Sequence, residues 1–536
     1  MRVVPADVAA AFVAPSLSLL QSRTAGFLAG IEGASGALDL LADRFGVDLR
    51  TPEGPGRLGL ESERAVALFT LKSGSLAPAV AGAPGTPSDA RAWVGVASVA
   101  DPELFLEAAR TRLEKGAGAT LAPGQPASVP AGGAWRFVGP GAQPTWQAAL
   151  GVTADRIGIV VFGAASFDVI GKWNVVASGK AEASFEKSDK AVSAKAALGQ
   201  EAVAYLVLEG LLPDAPKQLG LLRGFVQGMR DSLPTFVGGV AMPLGEAGVD
   251  ALVVKLSAAH VGDGFLPVQW VKPGGSPDRL AQAFPKTTTA FVRFRVALDN
   301  VRSLPGFIRD SVLPDRLPGL EALPLPAVSD LIDMIEGDVA VALLGLDPNA
   351  NLGRLGALQR APAEALSLFH LALAARVRDA TATKRTFAGI ASQLETSGWT
   401  VARIAPVGAK LPAGAVAYEG WSLARDGVHY AVLIDDQVVV FLIGSGEVDG
   451  FLAVKEGRAL SLASFADRGS LTVKQALGLE GATAFGMALG PLRLSRELSA
   501  RGLPPYFLKI INDVRLFSVS VGAEQKRLDL ALEISL

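Results

Sequence analysis

RIGIVVFGAASFDVI (Arg156–Ile170) and QVVVFLIGSGEVDGF (Gln437–Phe451) follow one plan, 281 residues apart: a branched apolar run, a glycine, a short break and a second apolar start. The same relation holds outward from this pair. AVAYLVLEG (Ala202–Gly210) resembles ATAFGMALG (Ala482–Gly490), 280 residues on. WVGVASVADPELFLEAARTRL (Trp93–Leu113) resembles FHLALAARVRDATATKRTFAGIASQL (Phe369–Leu394), beginning 276 residues on. AVAL recurs at Ala65–Leu68 and Ala340–Leu343, and AFV at Ala11–Val13 and Ala290–Val292, with offsets of 275 and 279. Each match alone is weak in an alanine-rich chain. Five in one order, with offsets confined to 275–281, are hard to produce by chance.

The expected architecture is therefore α+β, as two tandem pseudo-symmetric repeats. Each is a largely antiparallel sheet with packed amphipathic helices. The repeats are expected at residues 1–259 and 286–536, around a Gly/Pro-rich linker, HVGDGFLPVQWVKPGGSPDRLAQAFP (His260–Pro285). The closing strands Arg515–Leu536 match Phe236–Ala258.

Within one repeat, AAAFVAPSLSLL (Ala9–Leu20) reads as a strand entering a turn. A helix is expected next, because Phe27, Leu28, Ile31, Leu38, Leu41 and Phe45 recur at three- and four-residue steps. RAVALFTL (Arg64–Leu71) and WVGVASV (Trp93–Val99) read as strands. Asp101-Pro102-Glu103 starts a helix through Leu113, with the aspartate as cap and proline in the first turn. Asp379 starts its counterpart through Leu394. RIGIVVFG and KWNVVASG (Lys172–Gly179) read as strands, and Asp435-Asp436 as a hairpin turn. Helices are expected at Leu221–Asp231 and Tyr506–Val514, and loops at Ser73–Arg91 and Gly116–Gly133.

Composition excludes several chemistries. The 536 residues carry 50 Lys+Arg against 52 Asp+Glu, so no global field draws nucleic acid or an anionic membrane. There is no cysteine, hence no disulfide, thiolate metal site, cysteine nucleophile or iron–sulfur cluster. No run of ~20 apolar residues suggests an integral membrane segment. MRVVPADVAAAFVAP at the start is interrupted by Pro5, Asp7 and Pro15, so it reads as the beginning of folded structure rather than a signal peptide.

The local motifs favour structural roles. GPGRLG (Gly54–Gly59) has the spelling of a dinucleotide loop, but TPE precedes it and a strand follows it, the reverse of the required order. Ser184 and Lys187 have Ser-x-x-Lys spacing, with Lys286-Thr287-Thr288 downstream, yet ASFEKSDK reads as a solvated turn. His260, His370 and His429 fall at unrelated places with no local metal-ligand spacing. Asp155 fills the slot of Asp435 in the first repeat, which favours a shared turn over paired acid–base carboxylates. Trp93, Trp135, Trp173 and Trp421 flank strands and read as core or sheet-edge packing. No catalytic, cofactor-binding or metal-binding residue is expected.

The Pro5-Ala6-Asp7 start, the strand–Asp–helix unit at Val94–Leu113, the β-rich middle and the Tyr205–Leu208 strand together resemble a bacterial family of large exported cell-envelope proteins known as a domain of unknown function. The resemblance covers most of the chain and rests on pattern. It implies a periplasmic or cell-envelope location, with the cytoplasm as the alternative. The functional expectation is a non-catalytic binding or scaffold protein with a protein partner or apolar ligand, and without nucleic acid. A carrier or chaperone for a lipid-like ligand held between sheet and helices is the first alternative. A hydrolase with distantly assembled residues is the second.

Overall fold

The computed structural model describes residues 10–31, 53–72, 91–117, 126–129, 132–139, 146–164, 167–178, 184–198, 202–208, 235–245, 248–258, 279–299, 333–346, 369–404, 417–425, 428–444, 448–467, 484–489, 516–524 and 527–535, with isolated positions such as Val4, Pro5, Val8, Ala34 and Thr51. The described residues through Ala258 belong to one compact unit, and those from Arg279 onward to a second. Both are mixed α+β, and every strand pairing described below is antiparallel.

The first unit contains β1 (Ala10–Ala14), α1 (Leu17–Ala29), β2 (Val66–Lys72), β3 (Arg91–Ser98), α2 (Pro102–Ala117), β4 (Pro126–Val129), β5 (Gly132–Val138), β6 (Trp146–Thr153) and β7 (Ile157–Ala164). It continues through α3 (Val169–Ser178), α4 (Asp189–Leu198), β8 (Ala202–Leu208), β9 (Phe236–Ala241), the small β10–β11 hairpin (Leu244–Gly245, Gly248–Val249) and β12 (Ala251–Ala258). Its sheet order is β4-β5-β6-β7-β3-β2-β1-β8-β9-β12.

One face of this sheet is the inner core. Phe69 and Leu71, Val94 and Val96, Ile159 and Val161 alternate inward and meet Val169, Trp173 and Val176 of α3. Trp173 is fully buried, and its indole N–H donates to the Ile159 carbonyl at 3.2 Å. On the opposite face, α2 lays Phe105, Leu106, Ala109 and Leu113 over Phe137, Leu150, Trp146 and Val160. Asp101 caps α2, accepting from the amides of Glu103 and Leu104 at 3.0 and 3.1 Å.

The second unit contains α5 (Arg279–Ala283), β13 (Ala290–Arg295), β14 (Ile335–Leu346), β15 (Phe369–Val377), α6 (Ala380–Thr396), β16 (Thr400–Ile404), β17 (Glu419–Arg425), β18 (Val428–Ile434) and β19 (Val438–Ile443). Then follow α7 (Val448–Lys455), β20 (Ala484–Leu489), β21 (Leu516–Glu524) and β22 (Arg527–Ser535). The order here is β16-β17-β18-β19-β15-β14-β13-β20-β21-β22. Leu280 and Phe284, within and just after α5, join Phe291 and Phe451 in its inner core, with Phe284 edge-on to both rings at 5.1 and 5.4 Å. On the other face, α6 packs Phe387, Ile390, Ala391 and Leu394 over Trp421, Leu423 and Val432. Asp379 caps α6 through the amides of Thr381 and Ala382.

Several expectations need correction. The first helix starts at Leu17, not Phe27: Ser16 accepts from the Leu19 amide, and Gly30 ends the helix. Leu38, Leu41 and Phe45 lie outside the described residues, as do Leu221–Asp231 and Tyr506–Asp513. KWNVVASG is helix α3, not a strand. Val169, Lys172, Trp173 and Val176 are its buried positions, a period of three and four that overrides the β-branched composition. Residues of the expected loop 116–133 form β4 and the start of β5. The end of the expected linker, Leu280–Phe284, is core of the second unit.

Candidate functional site

β13 reads AFVRFR, and the ordinary rule would turn its arginines to solvent. The structure does the reverse. Arg293 and Arg295 are buried, with only 1% and 4% of their surface exposed, while Val292 and Phe294 point out. Arg295 lies 3.9 Å from Asp338, which also pairs with Arg376 at 3.5 Å; Arg376 reaches Glu336 at 3.1 Å. This inner ladder sets carboxylates against the buried Arg295 and the neighbouring Arg376. It also leaves the outer face of β13 apolar.

That outer face continues across six strands. Along one row, the register aligns Leu373, Val341, Val292, Gly486, Val519 and Leu532. The row above aligns Leu371, Leu343, Ala290, Ala488, Phe517 and Ile534. The row below aligns Ala375, Val339, Phe294, Ala484, Val521 and Leu530. No position in the three rows is polar. Val292, Phe294, Val341 and Phe517 are 37–43% exposed. The opposite face of β13, β21 and β22 is polar and buried, with Arg293, Arg295, Ser518 and Glu533 on it. The α6 cluster covers the β16–β19 half and reaches Leu371 of β15.

The first unit places a related surface at the same place in its strand order. Gly95, Leu68, Phe12, Leu206, Gly238 and Leu256 align across β3-β2-β1-β8-β9-β12. Leu68, Trp93 and Phe162 are 38–47% exposed. Trp93 pairs directly with Phe162, whose ring lies 5.4 Å from Trp146. A Cβ built on Gly95 would touch nothing within 4 Å, so the floor between Leu68 and Val160 is bare backbone. Thr70, next to Leu68 on this face, is buried, and its hydroxyl accepts from the Ala10 amide at 3.1 Å.

Among the described residues, polar side chains gather around Asp435 and Glu456. Asp435 is buried at the β18–β19 turn. Its Oδ1 accepts from the amides of Gln437 and Val438 at 2.7 and 2.6 Å, and its Oδ2 pairs with Lys455 of α7. Burial pushes the Lys455 ammonium down to about 8, and the adjacent carboxylate favours its charged form. Asp155 is exposed instead, and the positive φ of its turn falls on Arg156 at 57°. The two turns share a place in the strand order but not an environment. Lys455 carried a signal the sequence reading missed: it falls on the Val448, Phe451, Leu452 stripe of an amphipathic helix.

Beside this pair, the Tyr418 hydroxyl donates to Glu456 at 2.9 Å, and Arg458 donates to the other Glu456 oxygen at 2.7 Å. Burial, and then the Glu456 contact, push the Tyr418 phenol up to about 12. The sign follows from linkage. The unfolded tyrosine ionises near 10 and the folded one near 12, so the contribution to stability is full below about pH 10 and is lost as pH rises from about 10 to 12. We expect urea midpoints to fall between about pH 10 and pH 12, and Tyr418→Phe to flatten that fall. An unchanged slope in the variant would count against the assignment.

The three histidines are placed as follows. His260 lies outside the described residues. His370 and His429 approach the same residue: a Cβ on Gly444 would lie 2.8 Å from the His370 ring, and the Gly444 amide donates to the His429 carbonyl at 2.9 Å. Sequence placed them apart; the strand order β18-β19-β15 brings them together at one sheet end. Among the described residues, no three His, Asp or Glu side chains are grouped to hold a metal ion. Ser184 opens a single 3-10 turn, Phe185–Lys187, with Phe185 buried and Lys187 exposed, so the Ser-x-x-Lys pair shares no helix. Trp173 and Trp421 are core, whereas Trp93, expected to pack in the core or at an edge, sits exposed on a mid-sheet strand. A cleft of about 380 Å³ in the first unit is lined by Glu63, Arg64, Glu186, Lys195 and Ser98 among others, two acids against two bases. Among the described residues, no helix is long and apolar enough to cross a membrane.

No family model matches the chain, and no curated protein or solved structure does.

Proposed function

We propose that this chain is a non-catalytic binding or scaffold protein of the bacterial cell envelope that works through the open apolar half of its sheets. The observation that carries the reading is the three-row apolar face of β15-β14-β13-β20-β21-β22, kept outward while Arg293 and Arg295 are buried behind it. Burying a guanidinium costs stability unless it is paired, and leaving Phe294 in water forgoes burial. A strand arranged this way uses its outer face for something other than its own core. The duplication belongs to the same reading: the chain is one unit written twice, supported by the parallel strand orders of the two units.

The alternative, a carrier of a lipid-like ligand, is favoured by the bare floor at Gly95 between Leu68, Trp93 and Phe162. The test is native mass spectrometry on protein from its own cells, fractionated into cytoplasm and envelope. Envelope material bearing a stoichiometric protein partner supports the scaffold reading. A mass removed by organic solvent favours the carrier. A bare chain found in the cytoplasm fraction alone overturns both.

A further inference from the structure

We propose that His370 and His429 form a two-histidine site for a divalent transition metal ion at one end of the second unit's sheet. The chain holds three histidines in 536 residues, and two of them, far apart in sequence, fall on one row of that sheet. Gly345 pairs with His370, and Ala424 pairs with His429. Leu371 and Tyr430 both pair with Ile443, so the next position of β15 and of β18 flanks Gly444. The row across β14-β15-β19-β18-β17 is therefore Gly345, His370, Gly444, His429, Ala424. Leu371, Tyr430 and Ile443 share the face under α6, so His370 and His429, one residue away, both turn to the opposite face.

Between the two imidazoles stands a residue without a side chain. The His370 ring lies against Gly444, where a Cβ would come within 2.8 Å of it. The Gly444 amide donates to the His429 carbonyl at 2.9 Å, which holds β19 to β18 at this end. The two histidine backbones are two strand spacings apart, ~9.6 Å. Two metal–nitrogen bonds of ~2.0–2.1 Å bridge about 4 Å of that span, and two side chains leaning over the glycine cover the rest. On the far sides, Gly345 and Ala424 carry nothing larger than a methyl group. His429 is exposed and His370 half-buried, so an ion reaches both from solvent. The next row on the same face, Ala372, Leu442 and Ala431, is buried and apolar, which limits water on that side. One ring nitrogen suffices for the metal, so the further contact His370 makes is compatible with ligation. Imidazole ligands suit zinc, copper or nickel, whereas magnesium and calcium take oxygen. Two protein ligands leave the other positions to water, so the ion is exchangeable, unlike that of a closed four-ligand site. The site lies on the opposite side of β15 from the apolar face and is independent of the binding reading above.

The experiment is isothermal titration of the untagged full chain with zinc chloride, together with copper(II) electron spin-echo spectroscopy of the same protein. The expected result is one saturable zinc ion per chain, not displaced by excess calcium, and a copper signal carrying two imidazole nitrogens. His370→Gln and His429→Gln are each expected to weaken zinc binding ~10-fold or more, since losing even the hydrogen-bond partner of a ligand costs that much. His260→Gln is the control and leaves binding unchanged. Circular dichroism reports whether each variant is folded, and the copper spectrum of the unaltered chain reads the ligands without any substitution. Absence of saturable zinc binding overturns the site. So does zinc binding that survives both substitutions or depends on His260 instead, and so does a copper signal with one imidazole nitrogen or none.

Discussion

Asp435→Ala lowers the stability of the second unit by about 3–5 kcal/mol, the usual cost of removing one partner from a buried ion pair. The carboxylate holds two things at once. Its Oδ1 closes the β18–β19 turn on the amides of Gln437 and Val438, and its Oδ2 faces the Lys455 ammonium, with both side chains about 5% exposed. Alanine leaves two amides without their acceptor and an ammonium in the core without its counter-charge. For a unit of this size, ~2–4 °C per kcal/mol puts the drop in unfolding midpoint at roughly 6–20 °C. Asp435→Asn separates the two roles, because the amide oxygen still accepts from the turn while the charge is gone. Asp435→Asn with Lys455→Met is expected to recover most of the loss, since the turn keeps its acceptor and no buried charge is left. Thermal or urea unfolding of the cycle checks this. A loss below about 1 kcal/mol for Lys455→Met alone would show that the two side chains are not coupled.

This pair also marks where sequence reading stops. Asp435-Asp436 between two apolar runs is legible as a turn, because aspartate tolerates turn geometry and accepts from nearby amides. Nothing local says that one of the two aspartates is buried, since its partner lies twenty positions on in another element. The strands β2, β3, β7, β8 and β19 and the helices α2 and α6 were legible for a similar reason: periodicity and caps are local. KWNVVASG misled because Val, Trp and Val favour strands, while the decision came from Trp173 and Val176 meeting the sheet one helical turn apart. α1 was misplaced because Ala9–Leu20 read as a strand entering a turn, whereas Ser16 within it is the cap from which the helix starts. The open face was hidden differently. FVRFR alternates as an amphipathic strand should, so its pattern gives the two faces but not which one meets the core. Only the packing of Phe291 against Phe284, with Arg295 beside Asp338, settles that the arginines turn inward. A reading that always sends charge outward places the exposed apolar face on the wrong side of the sheet.

Gly59→Ala is expected to destabilise the first unit by about 3 kcal/mol or more, and Gly56→Ala, three residues earlier in the same GPGRLG segment, by no more than about 0.5 kcal/mol. Gly59 has φ +69°, and a Cβ there would lie 2.4 Å from the Asp101 carbonyl oxygen and 2.7 Å from the Phe105 amide nitrogen, both backbone atoms. Its own carbonyl accepts from the amides of Ala100 and Asp101 at 2.8 and 3.2 Å, where α2 begins. The methyl group would have to push away the first turn of the helix that covers β5–β7, and Phe105 would lose its seat against Val99, Phe137 and Leu150. At Gly56 a Cβ meets nothing within 4 Å, so the substitution has space and removes backbone freedom from the unfolded chain. The pair separates two explanations of the glycine-rich spelling. A phosphate-cradling loop would need the glycines for close approach of a ligand and would show a ligand-dependent shift in unfolding midpoint that both substitutions reduce. A docking turn for α2 needs only Gly59. Differential scanning calorimetry of the two variants, with and without a dinucleotide, decides it: a large loss at Gly59, none at Gly56 and no dinucleotide effect in any sample is the expected pattern, while stabilisation by the dinucleotide in the unaltered chain would overturn the structural role given to this segment.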